Sequence, residues 1–276
     1  MDLGFTEKVG IFLGLDFIIL IGSISSSGFA VYGAGGGEQY VFKTKWGEFN
    51  NAGGIGVDAL GHIYVVDRSN DRIEKFDSNG TFITAWGSPG TGNGQLNHAH
   101  DLAVYPCGNN LYIADRDNNR IQMFDSHGKF LRKWGSNGTA TGQFRYPEGS
   151  GVDSRQGNVY VADTYNDRIQ MFDDYGKFIT AWGSLGTANG QFSNPEGITV
   201  DSSGKVYVVD HGNDRIEKFD SNGTFMTTWG SLGTSNGQFN EVTDVTVDSA
   251  GYVYVSDYGK NNVQVFGLST NPNPIN

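Results

Sequence analysis

Cysteine is almost absent from the 276-residue sequence. Cys107 is the single one, which excludes an intramolecular disulfide and any metal site built from several cysteines. Proline is scarce as well, with six residues against 41 glycines, and this balance favours a turn-rich β protein. Basic residues number 19 against 30 acidic ones. The resulting net charge of −11 argues against a partner held mainly through phosphates, so we expect no nucleic-acid ligand.

Long hydrophobic runs are missing too, apart from one near the amino terminus. Val9 to Ile21 is short for a membrane span and contains Asp16, a costly residue in lipid. Because small residues follow, Gly28 and Ala30 in particular, residues 1–30 are interpreted as a secretory signal peptide. The alternative is an uncleaved anchor that associates with a membrane through residues 9–21. Either interpretation predicts an extracellular, cell-surface or periplasmic location for the folded part.

The remainder of the chain is dominated by one repeated unit. An aspartate recurs at intervals of 48, 48, 47 and 47 residues, at Asp67, Asp115, Asp163, Asp210 and Asp257. A phenylalanine and a tryptophan recur with the same rhythm, as in Phe172 and Trp182. A period in the forties built from strand-like runs indicates a propeller blade or a solenoid unit.

Each unit contains four strand patterns separated by turns. In the fourth unit they cover 197–201, 206–209, 215–219 and 224–229. The second is apolar on both faces, as expected of a strand packed between neighbours. The Asn222-Gly223 pair between the last two predicts a two-residue type I′ hairpin turn. Four antiparallel strands joined by hairpins make one blade of a β-propeller, so the predicted fold is all-β.

The repeat count predicts five blades, with six as the alternative. The last unit ends near Phe266 without a fourth strand, whereas Val41–Trp46 (VFKTKW) resembles a fourth strand that lacks its partners. We expect this amino-terminal strand to join the last blade, which closes the ring and protects an open strand edge. The domain therefore covers 41–267, after a glycine-rich linker at 31–40 and before a tail at 268–276 that is expected to be disordered.

The repeated pattern NPEGITVD…KVYVVDHGNDRIEKFDSNGTFMTTWG resembles the NHL repeat, over roughly residues 41–267. The resemblance implies a β-propeller, usually of six blades. It also implies two classes of metal site at the central channel. NHL-like peptidyl-hydroxyglycine lyases hold zinc with three histidines, of which only His100 has a counterpart here. Lactonase-like propellers hold calcium with carboxylates and asparagine, for which Glu148, Glu196 and Asn51 are a looser match.

An aspartate and an arginine five residues apart recur in four units, for example Asp163 and Arg168. Their recurrence indicates a structural pair, because a catalytic group is needed once whereas a group that fixes a hairpin is needed in every blade. The carboxylate is expected to accept backbone N–H groups and to pair with the guanidinium. The fifth unit has Asn262 in place of the arginine, which also favours the structural interpretation.

Candidate functional residues lie where the repeats differ, in the tetrad that begins each innermost strand. The third residues of the five tetrads are predicted to surround the mouth of the central channel: Gly53, His100, Glu148, Glu196 and Thr243. His100, Glu148 and Glu196 could hold a divalent cation, zinc or calcium, through nitrogen and oxygen. The other candidate ligand-binding residues of the tetrads are His98, Asp101, Tyr146, Asn194, Glu241 and Asp244. His211 is expected to be a solvated turn residue.

These observations predict a non-catalytic scaffold that binds a protein or a cell-surface polysaccharide outside the cytoplasm. Near-identical loops on a rigid frame suit recognition: 87–95, 135–143, 183–191 and 230–238. The alternative is a metal-dependent lyase or lactonase-like enzyme with its site at the channel mouth. No Ser–His–Asp constellation and no HExxH motif supports a hydrolase of those types.

Overall fold

The computed structural model describes residues 47–107 and 109–268. Nineteen strands in this range form five antiparallel sheets, arranged as the blades of a β-propeller. The predicted signal peptide or anchor, the linker, the closing strand and the tail beyond Leu268 lie outside the described residues. Among the described residues there is no helix with the length and apolarity needed to cross a membrane.

The blades follow one another along the chain, and each sheet is ordered from an innermost to an outermost strand. Blade 1 contains β1 (Ala52–Val57), β2 (Ile63–Asp67), β3 (Arg72–Phe76) and β4 (Phe82–Trp86). Blade 2 contains β5 (Leu102–Tyr105), β6 (Asn110–Asp115), β7 (Arg120–Phe124) and β8 (Phe130–Trp134). Blade 3 contains β9 (Pro147–Val152), β10 (Val159–Asp163), β11 (Arg168–Phe172) and β12 (Phe178–Trp182). Blade 4 contains β13 (Pro195–Val200), β14 (Val206–Asp210), β15 (Arg215–Phe219) and β16 (Phe225–Trp229). Blade 5 contains β17 (Val242–Val247), β18 (Val253–Asp257) and β19 (Asn262–Phe266).

Four short 3-10 helices connect the second and third strands of blades 1 to 4: Arg68–Asn70, Arg116–Asn118, Thr164–Asn166 and His211–Asn213. Each begins directly after the repeated aspartate and ends at a residue with a left-handed backbone, for example Asp167 at φ 51°. These helices, the tetrads and the loops between blades lie at the same end of the strands. We call this end the upper face, and the opposite end, with the other hairpin turns, the lower face.

The core consists of four apolar clusters, each between two consecutive blades. Between blades 3 and 4, for instance, Tyr160 and Ile169 pack with Phe192 and Phe219. Trp182 of blade 3 completes this contact, with its ring centroid 5.7 Å from that of Phe219. The second strands are buried on both faces, as their continuous apolar sequence predicts.

The junction between blade 5 and blade 1 differs from these four. Ile55 is 61% exposed, whereas its counterparts Leu102, Ile198 and Val245 are buried. Val263 is likewise 61% exposed, whereas its counterparts in the third strands of the other blades are fully buried: Ile73, Ile121, Ile169 and Ile216. The described part of this junction therefore lacks the apolar core of the others. Val41–Trp46, the strand expected here, lies outside the described residues, and the closure stays a prediction.

The hairpin turn at Asn222-Gly223 is not of type I′, contrary to the prediction. Type I′ with Asn222 and Gly223 as its central residues needs positive φ at both, and Asn222 does not have it. Instead Gly223, at φ 86°, donates its N–H to the Asp220 carbonyl over 3.1 Å. The Asp220 side chain accepts the N–H groups of Asn222 and Thr224, each at 2.9 Å. This aspartate fixes a turn with one left-handed glycine, which the Asn-Gly pair alone does not reveal.

The recurring aspartate–arginine pair is a buried structural anchor, as expected. Asp163 is fully buried and accepts the Arg145 N–H at 2.8 Å, while Arg168 Nε lies 2.7 Å from its other oxygen. The Arg168 guanidinium also donates to the Ala140 and Gln143 carbonyls of the preceding loop. The pair thus ties together a tetrad, a hairpin and the loop before it, which makes the upper face rigid.

Candidate functional site

The centre of the upper face is a cavity of about 180 Å³ where the innermost strands of all five blades converge. Its polar lining comes from two sets of variable positions, the tetrads and the residues that follow the repeated aspartates. The polar side chains of the lining are Arg68, His100, Asp101, Glu148, Thr243 and Asp244. The predicted channel mouth is therefore present, and Gly53, His100, Glu148 and Thr243 line it as expected.

A chain of polar contacts crosses the mouth from blade 1 to blade 3. Arg68 Nη2 lies 3.5 Å from His100 Nδ1, and His100 Nε2 lies 3.8 Å from Glu148 Oε2. The other Glu148 oxygen accepts Arg116 Nε at 2.7 Å, and Arg116 also pairs with Asp117. Because a guanidinium can only donate, His100 Nδ1 accepts from Arg68, and the imidazole proton lies on Nε2, towards Glu148.

The imidazole of His100 is held neutral. Its pKa is lowered from 6.5 to about 3. Burial is the main cause, and the positive charges of Arg68 and Arg116 contribute to the same shift. A neutral imidazole that bridges a guanidinium and a carboxylate positions both groups without adding charge. His100 therefore fixes the positions of Arg68 and Glu148 at the mouth and stays uncharged.

This neutrality gives a pH-dependent prediction. The folded protein should leave His100 unprotonated between pH 6.5 and about pH 3, whereas the unfolded chain takes up that proton over the same range. The contribution of His100 to stability is therefore complete above pH 6.5 and is lost as the pH falls towards 3. Two-dimensional NMR of the imidazole ¹³C–¹H groups should show no titration of the His100 signal near pH 6.5. A midpoint near 6.5 would contradict the buried, guanidinium-flanked environment.

Arg68 is the least satisfied charged group of the mouth. Its guanidinium lies over Gly53, where an added Cβ would come within 2.6 Å of Nε. Nε is buried without a hydrogen-bond partner, and no carboxylate of the described residues lies within ion-pair distance of the group. Glycine at position 53 is thus required for Arg68 to enter the cavity.

Two aspartates occupy the fourth tetrad position, where the other three blades have glycine. Asp101 fits because Gly54 leaves room for its carboxylate, and Asp244 fits in the same way against Gly197. Burial raises the pKa of Asp101, and the charge of Asp244 raises it further. Loss of hydration in the cavity likewise raises the pKa of Asp244, although this residue keeps an exposed surface. Both aspartates therefore keep their protons to higher pH than usual.

Glu196 faces a different partner from the one expected. Its Oε1 lies 3.6 Å from His211 Nδ1, and that nitrogen also lies 2.8 Å from the Val242 carbonyl. Burial raises the pKa of Glu196, an effect that the neighbouring charge of His211 opposes and that of Glu148 reinforces. Neither Glu196 nor His211 lines the cavity, so Glu196 does not join the predicted ring. The contact of His211 with the Val242 carbonyl differs from the expectation of a merely solvated turn residue.

The residues proposed as metal ligands lie around one mouth but do not converge on one point. Within residues 47–107 and 109–268, no three His, Cys, Asp or Glu side chains are arranged to hold a metal ion. Glu148 is engaged by Arg116, and Glu196 by His211. Binding of a cation by His100, Glu148 and Glu196 stays a prediction that requires these ion pairs to rearrange.

The first tetrad positions form the rim, and all five have a left-handed backbone: Asn51, His98, Tyr146, Asn194 and Glu241. Each of the last four donates its N–H to a side-chain oxygen of the preceding blade, as His98 does to Asp71. His98, Asn194 and Glu241 lie on this rim and are not part of the cavity lining. Asp101 and Asp244 do line the cavity, and ligand binding by them stays a prediction.

Tyr146 belongs to an aromatic cluster on the rim that the sequence alone does not reveal. Its ring centroid lies 5.2 Å from that of Tyr165, at an interplanar angle of 64°. The Arg116 guanidinium lies over the Tyr146 ring, 4.8 Å from its centroid. Sequence reasoning missed Arg68, Arg116, Tyr165 and His211. The signal that could have found them is variability in the two residues after each repeated aspartate.

Comparison with known proteins agrees with this architecture. A family model for the SMP-30/gluconolactonase/LRE-like region matches residues 101–236, and one for the NHL repeat matches residues 49–76. The structure of the described residues is a five-bladed β-propeller. As the repeated sequence predicts, it contains a match to the NHL repeat. No curated protein sequence matches the chain.

Solved structures with the same fold differ in what they do. A catalytically inactive variant of virginiamycin B lyase from Staphylococcus aureus with quinupristin has a TM-score of 0.60 at 16% identity, over 80% of this chain and 67% of that one. A streptogramin B lyase has a TM-score of 0.57 at 20% identity, over 77% of this chain, which spans 63% of the length of that lyase. A nidogen/laminin complex has a TM-score of 0.60 at 19% identity, over 78% of this chain and 74% of that one. Identities this low show a shared fold alone.

Proposed function

We propose that this protein is a non-catalytic binding module that works outside the cytoplasm and recognises a protein or a cell-surface polymer through its upper face. The observation that carries the proposal is the distribution of the residues that break the repeat. Arg68, His100, Arg116, Tyr146 and Tyr165 all lie at the upper face, on a frame that five near-identical blades make stiff. Binding residues are commonly carried by loops that a rigid scaffold positions.

The electrostatics of the mouth also favour binding over catalysis. Glu148 lies 3.8 Å from His100, but its other oxygen is paired with Arg116 at 2.7 Å. A general base needs a free lone pair aimed at the substrate, and the Arg116 guanidinium occupies one oxygen of Glu148. A nidogen/laminin complex also contains this fold, so the fold itself is compatible with assembly between proteins.

Photo-crosslinking from the two faces tests the proposal. A photoreactive phenylalanine analogue replaces Tyr258, 71% exposed on the upper face, or Tyr175, 63% exposed on the lower face. The full chain is produced in its own cells, which are then irradiated and fractionated. We expect a discrete adduct from position 258, in the envelope or the medium, and none from position 175. No adduct from position 258, or equal adducts from both positions, would contradict the proposal.

A metal-dependent lyase or lactonase-like enzyme is the second candidate, and one observation favours it. His100 is neutral, as a metal ligand must be, and an ion could bind one of its nitrogens once Arg68 leaves Nδ1 or the proton leaves Nε2. Two of the structures with this fold are of lyases. A bound ion would polarise a carbonyl or an attacking water.

Calorimetry separates the two candidates. Zinc and calcium are titrated into the wild type and into the His100→Ala, Glu148→Gln double variant. If the protein is only a binding module, both should give equal heats or none. Saturable heat in the wild type that is absent from the double variant would favour the enzyme. A matched variant, His127→Ala on the lower face, controls for ions that bind surface histidines.

A further inference from the structure

We propose that Tyr146, Tyr165 and Arg145 form a docking notch for a segment of a partner protein that carries a carboxylate next to an apolar side chain. This inference rests on the proposed function and gives it a location and a ligand chemistry. The notch lies on the rim between blades 2 and 3, outside the central cavity. Arg116 supports it from the side of the channel.

The notch is rigid before any partner arrives. The two tyrosine rings cross at 64° with their centroids 5.2 Å apart, and the Arg116 guanidinium covers the Tyr146 ring at 4.8 Å. Arg116 is itself fixed, by Glu148 and Asp117 at 2.7 Å each. Aromatic side chains held in this way lose little conformational entropy on binding, which makes them efficient anchors for a partner.

The residues of the notch are poorly explained by folding. Tyr146 has φ 51°, a region costly for bulky residues, whereas blades 1 and 4 have asparagine at that position and tolerate it better. Tyr165 occupies a position where the other blades have Ser69, Asp117, Gly212 and Gly259. Both rings remain 40% and 47% exposed, so their burial does not repay the cost. A binding role accounts for both tyrosines.

Charge indicates the chemistry of the partner. Arg145 is exposed between the two tyrosines in the fold, since its carbonyl accepts the Tyr165 N–H at 3.1 Å and Tyr146 follows it in the chain. Its counterparts are neutral: Asn50, Asn97, Ser193 and Asn240. No carboxylate of the described residues pairs with its guanidinium. An unpaired arginine on a chain of net charge −11 selects an acidic group on the partner.

Ring geometry favours a protein segment over an acidic polysaccharide. Sugar rings stack on broad exposed aromatic faces, whereas here one face of Tyr146 is covered by Arg116 and the second ring meets it edge-on. Tyrosine and arginine together are also the residues most enriched in the energetic centres of protein interfaces.

Selection from a displayed library of random peptides about a dozen residues long tests the inference, with the wild-type protein as bait. We expect enriched peptides to carry Asp or Glu beside an apolar residue. Their affinity should fall at least about tenfold in Tyr146→Asn, Tyr165→Ser and Arg145→Ser, since truncating an interface anchor commonly costs more than 1 kcal/mol. These replacements come from other blades, so the fold is retained. Tyr175→Ser, which removes an exposed tyrosine paired with Arg132 on the lower face, should bind as the wild type does.

Three results would overturn the inference. The first is enrichment of peptides that lack acidic residues. The second is equal binding of the enriched peptides by the wild type and the Tyr146→Asn variant. The third is binding of oligogalacturonate, and not of peptides, that depends on the notch residues. The crosslinking experiment separates this failure from failure of the proposed function. An adduct from position 258 that persists in the Tyr146→Asn, Tyr165→Ser background leaves the binding module standing and removes the notch. Absence of that adduct from the wild type removes the proposed function itself.

Discussion

Deletion of Val41–Trp46 is expected to lower the melting temperature of the whole domain and to promote aggregation. Among the described residues no strand pairs with the outer edge of β19, and this segment is the one expected to cover it. Val263 and Val265 on that strand are already more than half exposed within the described residues. Loss of the segment would leave an apolar edge open to other chains.

The repeat also predicts where Trp46 should pack. In each complete blade the tryptophan contacts a tyrosine of its own blade and a phenylalanine of the next, as Trp86 contacts Tyr64 at 6.1 Å and Phe124 at 6.3 Å. The corresponding partners of Trp46 are Tyr254 and Phe76. One side chain should thus join the last blade to the first.

Substitution at Trp46 measures this contact. Trp46→Ala should reduce the free energy of unfolding by about 3 kcal/mol or more, the usual cost of truncating a buried tryptophan. The indole N–H groups of Trp86, Trp134, Trp182 and Trp229 are buried without an acceptor, so Trp46→Phe removes no hydrogen bond and should cost far less. Urea unfolding of the three proteins gives the comparison. A deletion variant with an unchanged melting temperature would refute closure by this strand.

Asp163→Ala should be about as damaging, although it changes only one carboxylate. Asp163 is fully buried and accepts hydrogen bonds from the Arg145 N–H, Asn166, Arg168 Nε and Gln170. Its removal leaves a buried guanidinium without its counter-ion and several donors unsatisfied. Breaking a buried pair in this way typically costs about 3 to 5 kcal/mol.

Two matched variants make this second measurement decisive. Asp173→Ala removes an aspartate that caps an exposed turn through the N–H groups of Tyr175 and Lys177, so about 1 kcal/mol or less is expected. Asp257→Ala should lie between the two, because Asp257 accepts only the Asn240 and Lys260 N–H groups closely and has Lys260 Nζ at 3.8 Å. If Asp163→Ala costs no more than Asp173→Ala in urea unfolding, the structural role of the pair is wrong.

The fold was largely predictable because its signal repeats. The repeated pattern predicts the strand positions, the blade count and the buried second strands. Because the pattern is present five times, it can still be recognised when one copy departs from it. Lys260 is an example of what the pattern cannot show. In blade 5 its Nζ donates to the Ser235 and Gln238 carbonyls, as the arginine does elsewhere, from a position two residues earlier than Asn262. The function of a missing side chain was transferred to a neighbouring position.

The candidate site was predictable in place but not in detail. Alignment of the tetrads was enough to locate His100 and Glu148 at the channel mouth. It could not show that Arg116 takes one oxygen of Glu148 or that Arg68 reaches over Gly53, because these contacts depend on side-chain paths between blades. Alignment also gave Tyr146 no special backbone, whereas the structure shows a left-handed residue at all five rim positions.

The bonds from each arginine to the preceding loop have a consequence for synthesis on the ribosome. Arg120 donates to the Thr91, Gly92 and Gln95 carbonyls, and Arg215 donates to the Thr187, Ala188 and Gln191 carbonyls. Every such acceptor is translated before its donor, so a nascent blade always docks onto chain that has already emerged. Assembly can then keep pace with translation from the amino terminus. Arg72 of blade 1 makes no such bond among the described residues, and the seam beside blade 1 must wait until blade 5 has been made.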